Sequence, residues 1–354
     1  MWCLLRPQEG ENTTLIIKVN PINPEKDRIA KAAKIIREGG LVAFPTETVY
    51  GLGADALNPE AVKKVYEVKR RPRNIPLILH ISSIDQLVEY AFDPPESVLK
   101  LAKKLWPGPI TFVLKKSKKV PGIVTGGRNS VGIRMPAHPV ALSLIEESNR
   151  PLVGPSANLH GRPSPISAEH VKEDLYGRID AILDGGDVTF GIESTVIDFT
   201  STPPTLMRPG PLTIEEIEGL IGGRILVTEK ARGLVIDRAQ YSPRTPLVVV
   251  EGSIGRVMDR ISRMASEMSS LGLKIAIISP TESLKRYEGL NAKVIDIGPK
   301  ESPIEIARNL FKILREIDKI GVDLALVEGI EEKGLGLAIM SRLRKASGRP
   351  PIRV

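Results

Sequence analysis

Solid apolar runs of three to six residues alternate along the chain with apolar positions at helical spacing, from about residue 23 onward. Asn23-Pro24 reads as a helix cap with proline in the first turn. Ile29, Ala33 and Ile36 then share one face, and Gly39-Gly40 ends the helix. Leu41 to Phe44 predicts a buried strand closed by Pro45, and Asn58-Pro59 starts a second helix in the same way. Pro76 to Ile81, Ile110 to Lys115 and Val131 to Met135 predict further strands, followed by a helix over about 138–147. Leu152-Val153-Gly154 is a short apolar step into Pro155-Ser156-Ala157-Asn158. Thr195 to Phe199 and Leu206 to Arg208 read as strands, and Thr213-Ile214-Glu215-Glu216 as a capping box. Short strands mixed with helices predict one α/β or α+β domain over 15–225.

The pattern then lapses. Residues 226–246 form an expected linker or functional loop, because 228–246 carry no period and hold Gly233, Pro243 and Pro246. Over 247–354 it becomes regular. Strands are predicted at Leu247 to Glu251, Lys274 to Ser279, Lys293 to Ile297 and Asp323 to Glu328, with helices at roughly 253–271, 281–287, 302–319 and 335–346. Alternating buried strands and helices predict a small parallel, doubly wound domain. Residues 1–14 have no period and are expected to be a loose leader.

Composition narrows the class. The 354 residues carry 50 Lys and Arg against 42 Asp and Glu, a formal charge of +8, with 42% apolar and 26% charged residues. One cysteine, Cys3, excludes a disulfide framework and any cysteine-built metal site. No apolar run approaches the roughly 18 residues of a membrane span, and the N-terminus does not read as a secretory leader. A reducing, cytoplasmic setting without membrane contact is the expectation. Three glutamines among many Lys, Glu and Arg suit a heat-loving source. With 4% aromatics, platforms for stacking single-stranded bases are scarce.

Several chemistries lack their motif. There is no Walker phosphate loop and no His-Glu-x-x-His, and His80, His138, His160 and His170 have no metal-ligand spacing. Gly51-Leu52-Gly53-Ala54-Asp55-Ala56 matches Gly-x-Gly-x-x-Ala but follows a polar turn rather than a strand. Gly252-Ser253-Ile254-Gly255 also falls short of a dinucleotide fingerprint. Lys69-Arg70-Arg71-Pro72-Arg73 gathers four cations at a helix end. They are either a solvated run favoured by the helix dipole or a phosphate site stiffened by proline. Ser156-Ala157-Asn158 reads either as a turn cluster or as phosphate and ribose ligands. Arg134 lies within an apolar strand and needs an anionic partner, a protein carboxylate or a ligand. Arg208-Pro209-Gly210 repeats that situation. The C-terminal cations Arg342, Arg344, Lys345, Arg349 and Arg353 read as a solvated helix face, with contact to tRNA or a partner as the other reading. Phosphate-suited groups at strand ends, without a nucleophilic cysteine, favour nucleotide handling by positioning and electrostatics.

Phe44-Pro45-Thr46-Glu47-Thr48-Val49-Tyr50-Gly51-Leu52-Gly53 resembles the signature of the threonylcarbamoyl-AMP synthase family. Lys69 with Arg71 and Ser156 with Asn158 resemble that family's Lys-x-Arg and Ser-x-Asn pairs. Trp106 to Thr111, Arg134-Met135-Pro136, Glu193 to Val196 and Arg208-Pro209-Gly210 follow in the family's order. Tyr241 to Pro246 and the region beyond resemble its longer, two-domain branch.

The resemblance implies a YrdC-like twisted mixed sheet with helices, followed by a Rossmann-like C-terminal domain. It implies an enzyme making L-threonylcarbamoyl-AMP and pyrophosphate from L-threonine, bicarbonate and ATP with Mg2+. A downstream transferase complex then modifies tRNA. Thr48, His80, Arg134, Gly154 and Ser194 would form the threonine site. Lys69, Arg71, Ile75, Ser130, Ser156, Asn158, Ser164, Arg208 and Tyr241 would hold the nucleotide, with Lys69 and Arg71 catalytic, no protein metal ligands, and Tyr241 making the linker a lid. Ile75, Gly154 and Gln240 depart from residues common in relatives. The competing reading is a basic groove that binds RNA without chemistry, and weak tRNA contact is compatible with either. The carbamoyl-transfer relative of hydrogenase maturation needs zinc-finger cysteines that a single-cysteine chain lacks.

Overall fold

A computed structural model describes residues 13–236 and 240–354. The expected leader, apart from Thr13 and Thr14, lies outside the described residues, as do Cys3 and positions 237–239 of the expected linker. Thr14 belongs to the fold: it is buried and its hydroxyl donates to the Ile179 carbonyl at 2.7 Å.

The chain opens with β1 (Leu15–Lys18), α1 (Lys26–Arg37), β2 (Val42–Phe44), β3 (Gly51–Asp55), α2 (Pro59–Lys69) and β4 (Ile78–His80). Next come α3 (Asp85–Tyr90), α4 (Glu96–Leu105), β5 (Ile110–Lys115), β6 (Ser130–Arg134), α5 (Pro139–Ser148) and β7 (Leu152–Val153). Then follow α6 (Ala168–Leu175), β8 (Ala181–Asp184), β9 (Thr195–Asp198), β10 (Thr205–Arg208), α7 (Ile214–Ile221) and β11 (Leu226–Val227). Among the described residues these strands form one mixed sheet in the order β1-β8-β2-β3-β7-β4-β6-β5-β9-β10-β11. The second part has β12 (Leu247–Glu251), α8 (Ile254–Ser270), β13 (Ile275–Ser279), a 3-10 turn at Thr281–Tyr287, β14 (Ala292–Asp296), α9 (Pro303–Glu316), β15 (Leu324–Glu328), α10 (Leu335–Ser347) and β16 (Ile352–Arg353). Its sheet, β14-β13-β15-β12-β16, is parallel throughout.

Local chemistry accounts for most boundaries. The Asn58 side chain accepts the Glu60 and Ala61 N–H groups and caps α2, with Pro59 in the first turn. Thr213 and Glu216 form the expected capping box on α7. Helix α1 starts at Lys26, not at Pro24. The Asn20 side chain turns the chain by accepting the Ile22 and Asn23 N–H groups, so Asn23 is not the cap. The Gly-x-Gly-x-x-Ala stretch is buried strand β3 rather than a phosphate loop. A Cβ on Gly51 or Gly53 would stand 3.1 or 3.0 Å from the Phe44 ring, so these glycines make room for packing. The expected linker begins as β11, paired with β10 in the first sheet. Strands β1 and β8 and helix α6 are too short to show a clear period.

One apolar cluster includes Val188 and Ile192 from the first part and Phe311, Leu314 and Met340 from the second, so the two sheets share a core. Ion pairs reinforce it. Arg315, buried on α9, donates to the Pro163 carbonyl at 2.6 Å and meets Asp174 at 3.0 Å.

Candidate active site

The site lies at strand ends, where backbone order gives way to loops. His80 ends β4 and Arg134 ends β6, and these parallel strands set the two residues directly opposite each other. Arg134 is buried; its Nη1 donates to Thr48 Oγ1 at 2.9 Å, its Nε donates to the Gly108 carbonyl at 3.3 Å, and its Nη2 lies 2.7 Å from Glu47 Oε2. Of the two partners open to Arg134, the protein carboxylate is present as Glu47, and the guanidinium also lines the cavity. His80 is buried and its Nδ1 has no partner among the described residues. Burial, and then the neighbouring Arg134 charge, pull its pKa down to about 3, so the imidazole is neutral. A Cβ at Gly154 would lie 2.5 Å from that ring, which explains why glycine stands there. Ser194, just before β9, shares a 2.8 Å hydrogen bond with Thr111. Arg208 donates to its hydroxyl and to its carbonyl, both at 3.0 Å.

A second group gathers at the end of α2. Lys69 is buried and donates to the Ser156 carbonyl and, at 2.5 Å, to the Asn158 carbonyl, so it ties the two sequence pairs together. Burial, then the Arg71 charge, hold its pKa well below the usual lysine value, with Asp174 opposing. Arg71 turns back to the Pro76 carbonyl at 3.0 Å. Asn158 donates to the Leu159 and Arg162 carbonyls at 2.7 and 2.9 Å, and its buried Oδ1 has no partner among the described residues. Arg70 and Arg73 point to solvent, so the basic run divides: Lys69 and Arg71 line the cavity and the other two are surface charges. Ser164 donates to Glu193 at 2.5 Å, which commits its hydroxyl proton to the protein.

Tyr241 closes one side. Its φ of +62° is uncommon for a side-chain-bearing residue. The ring packs against Phe311 with centroids 5.3 Å apart, and the Arg342 guanidinium lies 5.9 Å from its centre.

These groups share one cavity of about 730 Å³. All fourteen residues singled out from the sequence, Ile75 and Ser130 included, line it. Its described lining has eight lysines and arginines against two carboxylates, Glu193 and Asp198, a charge balance suited to a polyanion.

A family model described as telomere recombination, covering the Sua5, YciO and YrdC proteins, matches residues 34–210, and one described as threonylcarbamoyl-AMP synthase, C-terminal domain, matches residues 212–348. The chain belongs to the threonylcarbamoyl-AMP synthase family. It is 49% identical to the threonylcarbamoyl-AMP synthase of Pyrococcus abyssi, over 96% of this chain and 100% of the relative. It is 43% identical to that of Bacillus subtilis, over 92% and 94%. The crystal structure of P. abyssi Sua5 complexed with L-threonine superposes with a TM-score of 0.90, at 49% identity and with 96% and 100% coverage. Escherichia coli YciO matches 56% of this chain and 96% of its own at 30% identity, with a TM-score of 0.52. The YrdC-like fold and the parallel C-terminal sheet are those of this synthase family.

Four residues of the cavity and its wall were not placed in the site by the sequence: Glu47, Glu193, Arg342 and Lys345. Glu47 and Glu193 sit inside motifs otherwise made of small or apolar residues, which is a signal of burial and therefore of a cationic partner. Of the cations expected on a solvated helix face, Arg349 and Arg353 are exposed just beyond α10, but two on the helix itself are not. Arg342 and Arg344 are buried, Arg342 against Glu193 and Arg344 against Glu251 and Glu332. Spacing within one helix cannot reveal acids that arrive from other elements. No described helix is long and apolar enough to cross a membrane.

Proposed function

We propose that this chain makes L-threonylcarbamoyl-AMP and pyrophosphate from L-threonine, bicarbonate and ATP, the first stage of N6-threonylcarbamoyladenosine formation in tRNA. One observation carries the assignment: the family's motif residues, scattered from Thr48 to Tyr241, line a single cation-rich cavity. The synthase reading takes precedence over a bare RNA-binding groove because an orphaned neutral imidazole and a buried arginine fork suit a small ligand, not a duplex.

In this reading Arg134, oriented by Glu47 and Thr48, presents its remaining N–H groups to the threonine carboxylate. Neutral His80 offers Nδ1 to a polar group of threonine, and Ser194 completes that end. Threonine's amine adds to carbon dioxide with loss of a proton, or to bicarbonate with loss of water, to give a carbamate, whose oxygen attacks the α-phosphorus in line as pyrophosphate leaves. Lys69, Arg71 and Arg208 stabilise the charge that develops on the phosphates. Ser130, Ser156, Asn158 and Ser164 position the nucleotide, while Ile75 and Val235 suit the flat face of its base. Magnesium brought with ATP would supply further positive charge against that of the phosphates. Of the two cavity carboxylates, Glu193 is already engaged by Arg342 and Ser164, and Asp198 accepts from Thr200. Tyr241 acts as the lid residue, shielding a carbamate that water would destroy. The product passes to a transferase complex acting on tRNA, and the cytoplasm is the matching compartment. Residues 15–227, which take in β11, form the catalytic domain, 228–246 the linker and 247–354 the C-terminal domain.

The test is pyrophosphate release from magnesium ATP with threonine and bicarbonate omitted in turn. Release that requires both supports the assignment; ATP turnover indifferent to threonine overturns it.

A further inference from the structure

Lys345 lies on α10 in the second part of the molecule, yet it lines the cavity that the first part builds. It is half-buried, and its charged neighbours are Arg342 on its own helix, Arg208 from β10, Lys230 from the turn after β11, and Glu193 from the loop before β9. The one acid in that set is already engaged: Glu193 is 2.8 Å from Arg342 and accepts from Ser164 at 2.5 Å. Among the described residues the Lys345 ammonium makes no ion pair and no hydrogen bond. Its backbone carbonyl, by contrast, is used, accepting the Gln240 N–H at 3.2 Å beside Tyr241. Burial, with Arg342 and Arg208 next in weight, pulls its pKa down to about 8. An ammonium held among like charges, partly out of water and with its one acidic neighbour already paired, is an electrostatic cost to the empty protein. A multivalent anion in the cavity would remove that cost. Arg342 and Arg344, within one turn of the same helix, have their acids; Lys345, which lines the cavity, does not.

We propose that Lys345 is a ligand of the nucleotide phosphates, supplied by the second domain, so that ATP is held between the Lys69–Arg71–Arg208 cations of the first domain and α10 of the second. The proposal rests on the ATP-dependent reaction given above. It makes the second domain part of the nucleotide site in its own right, beyond its support of the lid.

The experiment uses the full chain with Lys345→Met, which keeps the apolar stem, and Lys345→Arg, which keeps the charge. Calorimetric titrations with magnesium ATP and, separately, with L-threonine are combined with KM values for each substrate and the Tm of the ligand-free protein. Lys345→Met should weaken ATP binding and raise the KM for ATP about tenfold, the loss of one charge-assisted contact. It should leave threonine affinity within about twofold and leave the ligand-free Tm level or higher, because a like-charge repulsion is gone. Lys345→Arg should recover most of the ATP affinity. Unchanged ATP affinity in Lys345→Met overturns the proposal, and so does an equal loss for both substrates with a lowered ligand-free Tm, which marks a structural role. If the unaltered chain binds threonine but no ATP, the proposed reaction falls together with this inference, an outcome distinct from failure of the variant alone.

Discussion

Nε of Arg342 lies 2.8 Å from Oε2 of Glu193, and both side chains are buried. The arginine's other nitrogens donate to the Glu193 carbonyl at 3.0 Å and to the Pro209 carbonyl at 2.9 Å. An arginine from the last long helix thus completes the motif that holds Ser194 and braces the turn after Arg208. The Arg342 and Glu193 charges also explain each other's burial: neither could stay out of water alone.

Breaking this pair should be costly. Arg342→Met strands a buried carboxylate, for which about 3–5 kcal/mol of stability is the expected loss. Denaturant unfolding of Arg342→Met, Glu193→Gln and the double variant checks this. The double variant should lose clearly less than the sum of the two singles. Additive losses would mean that the two residues act independently.

Gly154→Ala should weaken threonine binding by moving His80, since the new methyl would start 2.5 Å from the imidazole. A fall of about tenfold in threonine affinity, with ATP affinity little changed, is expected for a displaced hydrogen-bonding group. Combining Gly154→Ala with His80→Ala should add little to the loss of His80→Ala alone. A Gly154→Ala protein that binds threonine normally would remove the steric account.

Arg134→Lys keeps a positive charge beside Glu47 but loses the planar fork. Threonine affinity should fall about 10- to 100-fold while ATP affinity changes far less, as read by separate titrations. Equal losses for both substrates would show that Arg134 serves the architecture of the whole cavity.

Stability should fall as the pH drops through the range where histidines titrate. The folded pKa of His80 is about 3, below the ordinary value of about 6.5 expected in the unfolded chain. Between those limits the unfolded state binds the extra proton, so acid favours unfolding. By pH 5 the cost is about 2 kcal/mol from this group. Burial, then Arg315, lowers His170 to about 4 and acts in the same sense. Unfolding measured at pH 7 and pH 5 should give a smaller difference for His80→Gln than for the parent chain. An identical difference would mean that His80 is not buried as a neutral group.

The sequence by itself determined the parts governed by local rules. Asn58 and Thr213 announce their helices because a cap needs groups only two or three residues away. The central C-terminal strands β12, β13 and β15 were legible because a parallel strand buried on both faces reads as a continuous apolar run. The motif residues were legible as a set because their types suit phosphate and carboxylate ligands, and their resemblance to one family supplied the roles. What only the tertiary structure decided is pairing. Arg134 with Glu47, Arg342 with Glu193 and Lys69 with the Ser156 and Asn158 carbonyls join residues 87 to 149 positions apart. Arg342 reads as a surface cation on its own helix and becomes a buried one only when α10 packs against the first domain. The two glycines of β3 follow a polar turn, which already speaks against a phosphate loop, but the Phe44 ring they make room for is visible only in the fold. Charge and shape act through space, and the separation between partners along the chain hides them from any local pattern.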